Sequence, residues 1–240
     1  MKPEYDTDLA YIHHVGYSDY IRTAAPGLLA ILRRNGIKSG LVVDLGCGGG
    51  LWARELTSRG YDALGIDISP AMVALARKTA PRAQFIRGSF LKTKLPPCVA
   101  VTAVGEVLNY TFDRDNSRAE LARFFRRVND ALRPGGIFIF DLAGPERELG
   151  RVPRRWTAGD DWAILLEVSR NSNVLTRRMT VFRKIGERYQ RSEEVHRLRL
   201  YPPRDTLSDL RSAGFTARNI RGFGESRFFR GLAGFVARRG

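Results

Sequence analysis

Apolar residues recur at helical intervals through the start of the chain: Leu9, Ile12, Tyr20, Ile21, Leu28, Leu29 and Leu32. This predicts one or two helices over 5–35, with Pro26 as a break or a first-turn residue. The pattern then changes to short apolar runs separated by helical stretches. Runs at 41–45, 62–67, 83–87, 99–104 and 136–142 read as strands. The fourth is almost wholly apolar, as a central parallel strand covered on both faces should be. Between them, Leu51, Trp52 and Leu56 mark a helix that ends near Gly60. Ser69-Pro70 starts another, with Ser at the N-cap and Pro at the first position. Leu121, Phe124, Phe125, Val128 and Leu132 share one face of a helix over 117–132. Strands alternating with helices predict a parallel α/β sheet.

After residue 144 the rhythm is different. Residues 161–169, 174–184 and 188–201 read as three longer strands, with turns at Asn171-Ser172-Asn173 and Gly186-Glu187. A helix over 206–213 ends at Gly214, a residue suited to the left-handed position beyond a helix. Strands near 216–221 and 231–238 follow. The expected organisation is one unit over 1–240: N-terminal helices over 1–38, a core over 39–144, an antiparallel insertion over 145–204, and a closing helix and hairpin over 205–240.

The chemistry concentrates in Val42-Val43-Asp44-Leu45-Gly46-Cys47-Gly48-Gly49-Gly50 and, 21 residues after Gly46, in Asp67. Alternating glycines let the backbone take positive φ and approach a ligand closely. The amides of the turn and the following helix N-terminus form a polar cradle. An acid at the tip of the next strand can accept both hydroxyls of a ribose. A dinucleotide fingerprint would need a third small residue where Leu51 stands, which counts against an NAD-dependent oxidoreductase.

Four ordered segments resemble the class I S-adenosylmethionine-dependent methyltransferases. They are Asp44-x-Gly46-x-Gly48-x-Gly50, then Gly65-Ile66-Asp67-Ile68-Ser69, then Phe85 to Phe90, and the strand 99–104 with its tip Gly105-Glu106-Val107-Leu108-Asn109-Tyr110. The turn Arg133-Pro134-Gly135-Gly136 before the fifth strand agrees with the same family. The resemblance covers roughly 40–144 well. It implies a doubly wound, Rossmann-like, seven-stranded and mostly parallel sheet. The antiparallel meander would be an insertion acting as lid or dimer contact, as in enzymes acting on glycine or amino sugars. The implied cofactor is S-adenosylmethionine and the implied product S-adenosylhomocysteine. The resemblance assigns Asp44, Gly46, Cys47 and Gly48 to the methionine part, Asp67 to the ribose, and Ile68 and Met72 to the adenine face. Ser89 stands where the family usually has an acid for the adenine amino group; its hydroxyl or the Phe90 backbone can substitute. Tyr20 and Arg22, in an N-terminal segment that folds over the cofactor in this family, would reach its carboxylate. Glu106, Asn109 and Tyr110 follow the fourth strand, where the family meets its acceptor, and Glu106 also borders the cofactor.

Composition changes this picture in one respect. The net charge is +15, and residues 145–240 carry +10 of it. That raises nucleic acid or an acidic substrate as a partner. Yet 34 of 40 basic residues are arginine and aromatics do not alternate with them, as a base-stacking platform requires. The Asn/Asp-Pro-Pro-Tyr tetrapeptide of amino-methylating DNA enzymes is absent after the fourth strand. Pro97-Cys98 lies at the wrong end of the sheet for cytosine chemistry. The expected function is methyl transfer to an N or O atom of a small molecule. The alternatives are methylation of RNA or protein, and S-adenosylmethionine binding without turnover. Adjacent His13 and His14 point apart on a helix, so no metal is expected, and His196 reads as structural. Asp141 can touch the acceptor or cap its turn. Two lone cysteines, a polar N-terminus and no apolar run of about 20 residues point to a cytoplasmic protein, monomeric or homodimeric, without a membrane partner.

Overall fold

A computed structural model describes residues 5–113 and 116–240. The first residues of the N-terminal segment 1–38 therefore lie outside the described part. Helices α1 (Thr7–Gly16) and α2 (Ser18–Arg34) lead into β1 (Gly40–Leu45), α3 (Leu51–Ser58), β2 (Tyr61–Asp67), α4 (Pro70–Thr79), β3 (Gln84–Arg87) and β4 (Cys98–Ala103). Then come α5 (Arg118–Ala131) and β5 (Leu132–Ala143). The second half holds β6 (Arg154–Ala158), β7 (Trp162–Asn171), β8 (Val174–Ile185), β9 (Arg188–Arg199), α6 (Pro203–Ser212) and β10 (Phe215–Ile220). It closes with β11 (Gly222–Phe223), β12 (Ser226–Arg227) and β13 (Leu232–Arg239).

Seven strands form the main sheet in the order β10-β13-β5-β4-β1-β2-β3. β1 to β5 pair in parallel, while β13 runs antiparallel between β5 and β10. The sheet is thus the predicted doubly wound, mostly parallel one. It carries a core on each face. Ala24, Leu28 and Leu32 of α2 join Trp52 and Leu56 of α3 on one side. Phe124 and Phe125 of α5 join Phe138, Phe140 and Phe235 on the other. Burying each of these large side chains contributes about 1.5–3 kcal/mol, so the two faces together fix the strand tips in place.

Two elements differ from the sequence expectation. The meander has four strands in the order β6-β7-β8-β9, not three. β6 is an edge strand on which most residues are exposed, so it has no apolar alternation to reveal it. The two-residue hairpin β11–β12 was also unforeseen; Phe223 within it is fully buried against the α2 core. β5 starts at Leu132, earlier than 136, because Leu132 already pairs with Cys98, ahead of a register shift across Arg133–Gly136 before Ile137 pairs with Ala100. The meander packs on α1 through Leu9 and Ile12 against Trp162, Ile164, Met179 and Val181. That contact sets the N-terminal helix and the insertion over the same end of the sheet.

Candidate active site

The carboxyl ends of β1, β2, β4 and β5 point to that end, where ligands of open α/β sheets bind. The turn after β1 uses its glycines as predicted. Gly46, Gly48 and Gly50 have φ of 59°, 51° and 78°. A Cβ on Gly46 would strike Val107, and one on Gly50 would strike Ala76. A Cβ on Gly48 would meet nothing within 4 Å, so there the bare backbone faces open space. Asp67 ends β2 and organises the loop: Gly48 N donates to Oδ2 at 2.9 Å and Ser69 N to Oδ1 at 2.9 Å. The carboxylate is only half-buried. Burial raises its pKa, while these backbone amides pull it down.

Asp44 is 3% exposed and accepts from the Thr102 hydroxyl at 2.8 Å. Thr102 in turn accepts from Trp52 Nε1 at 3.2 Å. Burial pushes Asp44 up to about 7, against the Thr102 hydrogen bond, and Asp67 adds to the rise. Cys47 is buried beside the loop, and burial raises its thiol pKa. Ile68 is half-buried, whereas Met72 is 2% exposed. Ser69 caps α4 through Met72 N at 3.2 Å, as the sequence implied. At Ser89 the structure adds a residue that sequence reasoning missed. The Ser89 hydroxyl donates to Asp113, so a carboxylate stands beside the turn where the sequence itself has none. Phe90 packs edge-on to Phe124 at 5.1 Å.

The tip of β4 is a charged knot. Glu106 has φ 62°, a left-handed conformation that costs a non-glycine residue strain. Asp141 holds it there by accepting from Gly105 N at 2.9 Å and Glu106 N at 2.5 Å. Tyr20 donates its hydroxyl to the same Asp141 at 2.8 Å. Burial lifts Asp141 to about 6 despite these donors. The Glu106 carboxylate receives Arg147 Nε at 2.5 Å and Arg177 Nη2 at 2.8 Å. Burial alone would raise its pKa; Arg177 and Arg147 outweigh it, and the net shift is downward. Asn109 is fully buried, and its amide bridges Ala143 and the Arg199 carbonyl. Arg22 is an exposed side chain paired with Asp19 at 3.5 Å and Ser18 at 2.5 Å. Thus Tyr20 and Glu106 meet at the β4–β5 tip, while Arg22 lies apart from them at the surface.

Tyr110, which the sequence set on the acceptor side, joins an aromatic wall. Its hydroxyl lies 3.2 Å from that of Tyr5, and its ring stacks on Phe112 at 4.8 Å. His196, buried on β9, lies 4.7 Å from Tyr5 and 4.9 Å from Phe112. Tyr5 also meets His13 at 5.3 Å, and His13 stacks on Tyr17 at 5.8 Å. Glu194 binds the N-terminal segment to the meander. Its carboxylate accepts from Tyr5 N at 2.9 Å, Asp6 N at 2.8 Å and His196 Nε2 at 2.8 Å. The Tyr5 carbonyl accepts from Ser69 Oγ at 2.9 Å, directly beside Asp67. His13 is accessible to solvent, yet its pKa is pushed down to about 4, by burial first and then by His196 and His14. Tyr110 and the aromatic richness of residues 11–20 hinted at this wall in the sequence; the contributions of 112, 194 and 196 come from the fold.

Among the described residues there is no group of three or more His, Cys, Asp or Glu able to hold a metal. The arrangement fits S-adenosylmethionine instead. The bare Gly48 backbone leaves room at the loop, and Asp67 stands half-exposed at the tip of β2. His14 Nδ1 is buried over Gly49 without a hydrogen-bond partner among the described residues.

Comparison with known proteins agrees. Residues 42–136 match a family model described as a methyltransferase domain. YqeM of Bacillus subtilis (strain 168) is 26% identical over 205 residues, 76% of each chain. A crystal structure of an S-adenosylmethionine-dependent methyltransferase from Clostridium acetobutylicum superposes with TM-score 0.82 at 18% identity, over 96% of each chain. CalS10 of Micromonospora echinaspora, an amino pentose methyltransferase solved with S-adenosylmethionine bound, superposes with TM-score 0.73 at 21% identity, over 90% of each chain. Residues 42–136 thus match a methyltransferase domain, and the chain shares the fold of S-adenosylmethionine-dependent methyltransferases.

Proposed function

We propose that this S-adenosylmethionine-dependent methyltransferase moves the methyl group to an N or O atom of a small-molecule acceptor by in-line displacement. The observation that carries the reading is the wall of Tyr5, His13, Tyr110, Phe112 and His196. It stands over the β2 and β4 tips and is pinned to the meander by Glu194. Such a wall closes around a small body. CalS10, with the same fold, is named for a small amine-bearing sugar.

The bound sulfonium supplies an already activated methyl group. The chain's own residues have to align the acceptor near ~3–3.5 Å and keep water out. Asp67, Gly48 and Ser69 make a rigid loop for the ribose, and Asp44 and Cys47 back it. Ile68, Met72, Ser89 and Phe90 border the adenine side, with Asp113 as the added acid. Tyr20 buttresses Asp141, and Arg22 serves the surface in place of the cofactor carboxylate. Glu106 serves as an anchor, because both its oxygens are held by arginines. Tyr110 is the acceptor-side group with a hydroxyl on the wall, and Asn109 fixes the loop that carries it. In this reading 1–38 is the lid, 39–144 the cofactor core, 145–204 the insertion and 205–240 the closing hairpin. The cytoplasm is its proposed compartment, on the two lone cysteines; no described helix is long and apolar enough to cross a membrane.

Calorimetric titration with S-adenosylhomocysteine, with NAD as control, tests the reading. Micromolar binding of the first and silence from the second is expected, followed by methylated product from a panel of small amines and hydroxyl compounds. A second reading, RNA as acceptor, follows from the +15 charge. It requires binding that falls steeply with salt as counterions are released.

A further inference from the structure

The densest charge outside the cleft lies where the loop after β5 meets β6, β7 and β8. Glu148 has a side chain only 5% exposed and sits among four guanidinium groups. Arg147 and Arg155 approach it to 3.0 Å, Arg151 to 3.9 Å and Arg177 to 4.0 Å. Arg147 and Arg177 also carry Glu106. Arg170 lines the same space and donates to the backbone carbonyls of Ser172 and Pro145. Four arginines therefore share two carboxylates, and Arg170 stands beside them without a carboxylate of its own among the described contacts. The neighbouring acids Glu146 and Glu167 turn to Arg230 and Arg154 instead.

Arg147, Arg151, Arg155 and Arg170 line a cavity of about 110 Å³ together with Glu148, Val168 and Leu175, and Arg177 backs it through Glu148. Arg147 and Arg177 are only 12% and 13% exposed, so their charge is poorly screened by water. Glu148 and Glu106 both sit in the left-handed region, at φ 66° and 62°. Two non-glycine residues held so within one cluster mark a pre-set constellation of the kind found at ligand sites. The cluster also borders the aromatic wall, because Arg177 on β8 pairs with His196 on β9.

We propose that this arginine-lined cavity is a subsite for an oxyanion, a phosphate or carboxylate tail carried by the methyl acceptor. The inference rests on the small-molecule reading above. Guanidinium forks match both groups in planar, two-point fashion. The excess charge attracts a tail of either kind, and the shared Arg147 and Arg177 tie its arrival to Glu106 at the β4 tip.

The test is calorimetry on protein saturated with S-adenosylhomocysteine at low ionic strength, titrated with inorganic pyrophosphate and separately with malonate. Wild type is compared with Arg151→Ala, Arg155→Ala and, as a control on the exposed face of α6, Arg211→Ala. Saturable one-to-one binding is expected, weakened about tenfold by the loss of Arg151 or Arg155 and unchanged by the loss of Arg211. Preference for pyrophosphate identifies a phosphate tail, and preference for malonate a carboxylate. Arg151 is half-exposed, so its variant reads the site even if Arg155→Ala fails to fold. No saturable binding of either anion, or equal weakening by Arg211→Ala, overturns the proposal in favour of a diffuse basic surface. Failure of S-adenosylhomocysteine itself to bind overturns the methyltransferase reading, and with it the assignment of the anion to an acceptor.

Discussion

At the scale of single residues, two aspartates of the loop make opposite demands. Asp67 binds two backbone amides and, in the proposed function, meets the ribose, so Asp67→Ala removes the loop's organiser together with the proposed ligand contact. Calorimetry should show S-adenosylhomocysteine bound at least about tenfold more weakly, the equivalent of one charge-assisted hydrogen bond. Affinity within about twofold of wild type would contradict the assignment. Asp44 is raised to about 7 by burial, so the native state holds a proton that the unfolded chain gives up near 4. Its contribution to stability is fully present below about pH 4 and is lost as pH rises to about 7. In Asp44→Asn the amide oxygen still accepts from Thr102 and nothing titrates. Urea unfolding between those pH values should therefore fall less steeply in the variant than in wild type, by a few kcal/mol in all, at ~1.4 kcal/mol per pKa unit. Parallel profiles would show that Asp44 does not carry the shift. These two residues were legible from the sequence because strand, glycines and acid occur together in one short run. Tyr5, Asp113, Glu194 and His196 were not, because each gains its role from a partner far away in the chain.

Elements were legible where periodicity is strong. Both faces of the main sheet followed from apolar strands alternating with amphipathic helices. The edge strand β6 escaped because Arg154, Trp156, Thr157 and Ala158 are exposed, so no pattern of burial is written into it. Ion pairing between elements was invisible too. Glu106 links the β4 tip to the loop after β5 through Arg147 and to β8 through Arg177. Breaking a buried pair by removing one partner costs roughly 3–5 kcal/mol, since the remaining charges stay buried. Glu106→Gln keeps the shape of the side chain and removes its charge. It should lower unfolding free energy at pH 7 by that order, read in urea. Because the native carboxyl is held below its ordinary value, the gap should narrow as pH falls below about 4.5 and wild type loses the same charge. A difference constant across that range would assign the loss to hydrogen-bond geometry alone.

At the scale of the whole molecule, the cleft is closed by segments that local sequence cannot relate. The contact from Tyr5 N to Glu194 spans 189 residues. Glu194 holds three donors at once: the Tyr5 and Asp6 amides and the His196 ring. Ser69, which caps α4 beside Asp67, hydrogen-bonds the Tyr5 carbonyl. The meander, the N-terminal segment and the cofactor loop therefore form one mechanical chain, and Glu194 is its central link. Glu194→Ala leaves both amides without a protein partner and frees His196 from its carboxylate. Local opening costs least where few contacts remain, so the N-terminal segment should open first. Hydrogen exchange followed by mass spectrometry should show faster exchange in peptides over 5–16, with β1 and β5 unchanged. S-adenosylhomocysteine should bind more weakly as well, because part of its binding energy then goes into re-ordering the segment. The His13 and Tyr17 contacts to the rest of the wall would loosen with it, so any catalytic loss should exceed the loss in cofactor affinity. Unchanged exchange over 5–16 would show that the α1 packing of Leu9 and Ile12 on Trp162 holds the segment without Glu194, and that the closure belongs to the hydrophobic contact alone.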